Sequence, residues 1–167
     1  KKIKLDKGFT NFLYPASLSP HKNFEILKPL ALKILSRNLT FKIIITLEEE
    51  SSSQFIKSIN EYLGSVIINV GHLNQTQIPT LYKACDALFF PSLLESYGLP
   101  FIEAMAIEKP ILTSDLDFAR SMCGDAAYYF DPFDSESILS EMVNFSENEE
   151  IKKEKIKIGS KKFKKYP

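Results

Sequence analysis

Short, largely apolar runs of four to seven residues alternate along this chain with longer segments of helical period. That alternation is the pattern of a parallel sheet flanked by helices. It predicts strands over 12–16, 41–47, 66–70, 87–90, 111–114 and 127–130. Several of these runs are apolar throughout, as a strand covered on both faces requires. Between them the spacing predicts helices over 23–37, 53–63, 75–84, 100–107 and 135–143, with Pro29 expected to kink the first or delay its start. The expected fold class is α/β, a doubly wound parallel sheet of about six strands. In such folds ligands bind beyond the carboxyl ends of the strands, so the loops that follow each strand are where chemistry is expected.

A chain of 167 residues suits one compact domain, 1–167, with a core expected over 9–145. Its 44% hydrophobic content, with 13 Phe and 7 Tyr, excludes the disordered class. Lys and Arg number 21, as do Asp and Glu, so no global field draws the chain to nucleic acid, and any affinity for anions is local. Cys85 and Cys123 have no metal-ligand spacing and are expected as buried thiols in a reducing cytoplasm. No run of about 18 apolar residues is present, and the opening 1–7 lacks the apolar centre of a signal peptide. The expectation is a soluble intracellular chain.

The region 146–167 differs from the rest. Ser146 and Glu149 have capping-box spacing ahead of a helix expected over 151–166, with eight lysines between Lys152 and Lys165. Ile151, Ile156, Ile158 and Phe163 are interspersed at loosely helical spacing, which points to a packed helix with a solvated face. A peripheral grip on an anionic membrane surface is the other use for such a stretch.

The chemistry concentrates between Asp86 and Asp115. An apolar strand delivers the chain to the loop 91–99, and Pro100 then opens a helix, where its missing N–H costs nothing. Free amides around Gly98 to Phe101 and the positive end of the helix form a site for an anion such as a diphosphate. Gly98 lets the backbone turn tightly or approach a ligand closely. Glu95 lies at the mouth of the loop and Glu103 is expected in the first helical turn, where a carboxylate can accept hydrogen bonds from a sugar diol. Either acid alone reads as an ordinary loop or helix-start residue; their combination carries the functional reading. His21 and His72, the two histidines, have no Ser or Cys in a nucleophile context, so no hydrolase triad is indicated, and both remain open between surface and ligand contact. The run from Asp131 to Asp134 reads as a turn into a helix cap. No GxGxxG or P-loop occurs.

Pro91, Ser92, Glu95, Gly98, Leu99, Pro100, Glu103, Ala104, Met105, Ala106, Pro110 and Ser114 stand in the register P-S-x-x-E-x-x-G-L-P-x-x-E-A-M-A-x-G-x-P-x-x-x-S. In this the chain resembles the group 1 (family 4) retaining glycosyltransferases. The likeness continues through CGDAAYYFDPFDSESI, 123–138, and YPASLSPHKN, 14–23, and covers about 11–145. It implies a Rossmann-like sheet forming the C-terminal half of a GT-B fold, with the N-terminal acceptor-binding half absent from this chain. The implied function is transfer of a hexosyl group from a nucleotide diphosphate sugar, GDP-mannose-like or a UDP-sugar, to a glycan or lipid-linked acceptor. The family's acceptors include lipid-linked and cell-envelope glycans, and the Lys, Ile and Asn bias of the composition points to a bacterium with AT-rich DNA. The expected setting is therefore bacterial surface-polysaccharide synthesis, lipopolysaccharide or capsule, in the cytoplasm, at the inner face of the membrane where peripheral association applies.

The resemblance assigns Lys22 to the diphosphate leaving group and Glu95 to the transferred sugar near its anomeric centre. It assigns Glu103 to the ribose, Ser96, Tyr97, Gly98 and Leu99 to the sugar hydroxyls and diphosphate, and Gly71, His72 and Leu73 to the nucleobase. No metal or other cofactor is expected, and no protein nucleophile is assigned. Two positions depart from the pattern. Ser17 stands where the family has Arg, removing a bidentate phosphate contact. Glu108 stands where it has Gly, at a cost of about 1 kcal/mol if the position is left-handed. The alternatives are a non-catalytic nucleotide-binding module and a Lys-rich anionic-surface domain.

Overall fold

The computed structural model describes residues 4–59 and 61–166. Lys1 to Ile3, where the basic opening segment begins, lie outside the described residues, as do Asn60 within the expected second helix and the closing Pro167.

Six strands form one sheet: β1 (Thr10–Tyr14), β2 (Phe41–Ile45), β3 (Ile67–Asn69), β4 (Ala87–Phe90), β5 (Ile111–Ser114) and β6 (Ala127–Phe130). All pair in parallel, in the order β3-β2-β1-β4-β5-β6. This is the doubly wound topology expected from the apolar runs. β1 lies two residues earlier than 12–16, because Pro15 has no N–H to give a strand flanked on both sides. β2 stops at Ile45, level with the end of β1, and the side-chain amide of Asn69 extends the ladder by bonding both the N–H and the carbonyl of Leu47.

The helices are α1 (Leu27–Ser36), α2 (Ser53–Ser58), α3 (Ile78–Ala84), α4 (Leu99–Ala106), α5 (Asp117–Cys123), α6 (Ser135–Glu147) and α7 (Glu149–Phe163). A 3₁₀ turn, Phe24–Ile26, precedes α1, so the α-helix starts late and holds Pro29 in its first turn, where no intrahelical donor is needed. α2 ends at Ser58, short of the expected 63, and a separate 3₁₀ turn occupies Leu63–Ser65. α5 had no sequence expectation. It has seven residues and buries only Ala119 and Cys123, too little to register as helical period.

Two expectations near the end of the chain are corrected. α6 continues to Glu147, so Ser146 is inside it and its hydroxyl donates to the Val143 carbonyl at 2.8 Å. Asn148 caps α7 instead, accepting from the Ile151 amide at 3.2 Å. Ile151 and Ile158 pack against the core, and the Lys155 ammonium donates to the carbonyls of Asp125 and Ala127 at 3.2 and 2.9 Å. The helix closes on α4 at Gly159, where a Cβ would sit 3.3 Å from Met105 Cγ.

The core runs unbroken from α1 and α6 through the sheet to α4, with Phe12, Tyr14, Phe89, Phe90, Phe101 and Phe145 almost fully enclosed. Both cysteines are buried and free, and burial pushes each thiol up to about 12. No helix among the described residues is long and apolar enough to cross a membrane.

Candidate functional site

In this strand order the chain leaves β1 and β4, which are neighbours, toward opposite ends of the sheet. Their diverging carboxyl ends open a crevice. Lys22 follows β1 and Glu95 follows β4, 73 positions apart in sequence, and they form an ion pair there. Both side chains are mostly shielded, at 15% and 14% exposure, so solvent screens the pair less than a surface bridge. The Lys22 ammonium also lies 5.3 Å from the centroid of the Phe90 ring.

Local structure fixes this meeting. The 3₁₀ turn Pro20–Lys22 ends at Asn23, whose backbone is left-handed at φ 55°, a conformation Asn tolerates. The Asn23 amide donates to the carbonyls of Pro91, at 3.1 Å, and Pro132, at 2.8 Å, tying together the loops after β1, β4 and β6. The Tyr14 hydroxyl donates to the Lys22 carbonyl. Burial, and then the Glu95 charge, holds that phenol well above its ordinary pKa, so it stays a donor. The Leu93 amide donates to the His21 carbonyl at 2.7 Å, and the buried Ser92 hydroxyl lies 3.1 Å from Glu95 Oε1.

Beyond Glu95 the chain turns into α4 through Gly98, left-handed at φ 59°. A Cβ there would meet Phe101 Cδ2 at 3.0 Å and Met122 Cε at 3.2 Å, so both conformation and space require glycine. The expected anion cradle is displaced from 98–101 toward the loop. Pro100 has no N–H, and the Phe101 and Ile102 amides already donate to the Gly98 carbonyl at 3.0 and 3.4 Å. The amides of Ser96, Tyr97, Gly98 and Leu99 have no hydrogen-bond acceptor among the described residues, and they run from the loop into the first residue of α4. Tyr97 and Leu99 leave their side chains largely exposed at 79% and 60%.

Gly71 is left-handed at φ 82° with open space around it. His72 and Leu73 line a cavity of about 340 Å³ with Ser17, Thr46, Glu48 and Ser52, and the buried Ser52 hydroxyl has no partner among the described residues. Glu103 is not in that cavity. It lines a neighbouring one of about 350 Å³ with Gln75, Ile78, Pro79 and Tyr82, and Ile78 stands on both rims. The expectation that Glu103 belongs to the first helical turn is corrected: α4 begins at Leu99, the first turn carries no acid, and Glu103 is one turn further on. The helix terminus therefore does little for it.

The structure thus pairs Lys22 with Glu95, with the free amides of 96–99 next along the chain, while His72 and Leu73 line one cavity and Glu103 an adjoining one; Gly71 lines neither. Tyr14, Asn23 and Tyr82 went unassigned in the sequence. Asn tolerance of left-handed backbone was the one available signal, for Asn23. Tyr14 and Tyr82 fall within the expected first strand and third helix, with no separate signal.

A six-stranded parallel sheet in this order, with a cation and free amides after neighbouring strands at its switch point, defines a Rossmann-like α/β class of domain. Residues 1–163 match the model of the glycosyl transferases group 1, and the chain belongs to that family. Among curated relatives it is 31% identical over 74 residues to O-antigen chain mannosyltransferase B of Escherichia coli, covering 44% of this chain and 19% of that protein. It is 34% identical over 71 residues to O-antigen chain mannosyltransferase RfbU of Salmonella typhimurium, covering 42% and 20%. The chain thus spans about a fifth of the length of these relatives. Among solved structures, TarM superposes with a TM-score of 0.80 at 18% identity, over all of this chain and 35% of that one. The catalytic domain of cholesterol-α-glucosyltransferase from Helicobacter pylori gives 0.76 at 18% identity, over 96% and 100%. The fold is the Rossmann-like α/β of these GT-B glycosyltransferases.

Proposed function

We propose that this chain is the donor-binding half of a retaining glycosyltransferase, taking a hexosyl group from a nucleotide diphosphate sugar and passing it to a glycan or lipid-linked acceptor. The observation that carries the reading is the Lys22–Glu95 pair at the β1/β4 switch point, beside the amides of 96–99. A diphosphate entering the crevice competes with Glu95 for the Lys22 ammonium, freeing the carboxylate to accept hydrogen bonds from the sugar. As the glycosidic bond breaks, negative charge builds on the departing phosphate. A cation and fixed amides aimed there act most strongly in the transition state. Glu103 takes the ribose diol, and the cavity beside His72 and Leu73 takes the base.

The relatives named as O-antigen chain mannosyltransferases support mannose as the transferred sugar and surface-polysaccharide synthesis as the setting. In this reading the donor is GDP-mannose and the work is done at the cytoplasmic face of the membrane. A TarM variant solved with fondaparinux, α-GlcNAc-glycerol and UDP keeps a UDP-sugar in contention. A second Rossmann-like half supplies the acceptor site. NMR titration of the chain with GDP and UDP tests the reading. Saturable binding that Lys22→Ala weakens about tenfold or more is expected, as for loss of a charge-assisted contact. Binding indifferent to Lys22→Ala, or none by the folded chain, counts against it.

A further inference from the structure

The inward side of α7 is fixed by Ile151, Ile158 and Gly159, which pack against the rest of the fold, and by Lys155, whose ammonium bonds two carbonyls at the start of β6. Successive residues of a helix turn by about 100°, so the opposite side carries Lys153, Lys157, Lys161 and Lys164 within an arc of about 80°. All four are exposed, as is Lys165 just beyond the helix. The four make a nearly straight line of positive charge about 16 Å long. Lys152 and Lys153 are paired with Glu149 and Glu150 in the first turn. Further along, Lys157, Lys161, Lys162, Lys164 and Lys165 have no ion-pair partner among the described residues.

Between 152 and 165 eight lysines stand against one acid, Glu154, in a chain of zero net charge, so the remaining residues carry a net negative charge. An anionic surface therefore attracts this face and repels the others, which orients the molecule as it docks. The stretch contains no Arg, the residue suited to bidentate phosphate recognition in nucleic acid, whereas lysines are point charges that suit the diffuse field of a headgroup layer. Phe163 and Tyr166 are exposed at its basic end. The Tyr166 hydroxyl lies 3.0 Å from Met122 Sδ, and Met122 is also the side chain that a Cβ on Gly98 would meet at 3.2 Å. The basic end of α7 and the 96–99 loop thus flank one methionine.

We propose that the outer face of α7 docks this chain onto an anionic lipid bilayer through its line of lysines. The attraction is electrostatic, because the apolar side of the helix is already spent on the core. It does not depend on the donor-site reading, though it gives a lipid-linked acceptor a surface on which to be met.

Co-sedimentation of the chain with vesicles tests this, using phosphatidylcholine alone and phosphatidylcholine with about one-third phosphatidylglycerol. Binding to the anionic vesicles only is expected. The triple variant Lys157→Gln, Lys161→Gln, Lys164→Gln should lower it about tenfold or more, while keeping the circular dichroism of the unaltered chain. A control with the same loss of charge at exposed lysines elsewhere, Lys7→Gln, Lys57→Gln, Lys83→Gln, should change it less than about twofold. Equal binding to both vesicles, indifference to the α7 variant, or an equal loss in the control overturns the proposal. So does binding that persists at about 0.5 M salt, a check that needs no variant. Preference for an RNA duplex over the anionic vesicles at matched salt overturns the choice of lipid. GDP and UDP titrations of the α7 variant should match those of the unaltered chain, so failure here leaves the donor site standing, and Lys22→Ala should leave vesicle binding unchanged.

Discussion

Glu108 closes α4 in a left-handed conformation at φ 56°. The Lys109 amide donates back to Ala104 O at 2.8 Å and the Glu108 amide to Met105 O at 3.3 Å, the paired bonds of a Schellman closure. Asn38 closes α1 with the same pattern at φ 52°, using a residue better suited to it. The family's glycine at 108 therefore marks a real backbone requirement, and Glu meets it at a cost. Its compensation is weak, an exposed 3.3 Å hydrogen bond accepted from Ser160 Oγ. Glu108→Gly is expected to stabilise the chain by about 1 kcal/mol in urea unfolding, with the slope unchanged. An unchanged or lower midpoint would mean that the Ser160 contact outweighs the backbone strain.

At the scale of elements, α1 and α6 are hooked together by Glu136. It accepts from Arg37 through both oxygens, at 2.7 and 2.8 Å, and from Lys33 at 2.9 Å. The hydrogen bonds from Arg37 and then Lys33 lower the Glu136 pKa from 4.5 to about 2. A carboxyl whose folded pKa is depressed contributes stability fully above its unfolded value, and loses it as pH falls through the folded one. Glu136→Gln should thus lower the melting temperature slightly at pH 7 in low salt, and the gap should close between about pH 4.5 and about pH 2. Melts across that range check it, and a gap undiminished at pH 2 would rule out a charge effect. The elements were unevenly legible. Apolar strands spoke through composition, whereas α5 had too few buried positions to show a period. The requirement that parallel neighbours β5 and β6 be joined by a crossover was the signal that could have found it.

The whole molecule has one core, shared by both faces of the sheet and reached by α7 through Gly159. Loss of any layer exposes the others, so the chain is expected to unfold as a single unit. It has no Trp and 7 Tyr, so tyrosine fluorescence and far-ultraviolet circular dichroism are the probes to compare. Coincident urea transitions are expected, and separated ones would reveal a subdomain.

By itself the sequence determined the class of fold, because short runs rich in Phe, Ile and Leu, set between segments of helical period, suit strands covered on both faces. It also determined where a helix opens after β4, because Gly98 and Pro100 mark a helix start whatever surrounds them. Tertiary structure decided what depends on residues distant in sequence. It set the pairing of Lys22 with Glu95 across the switch point, and the clamp of Asn23 on two other loops. It also moved Glu103 out of the first turn and set it beside Tyr82. Local pattern encodes burial and backbone preference residue by residue. Which side chains share a crevice follows only when strand order brings the loops of β1 and β4 together.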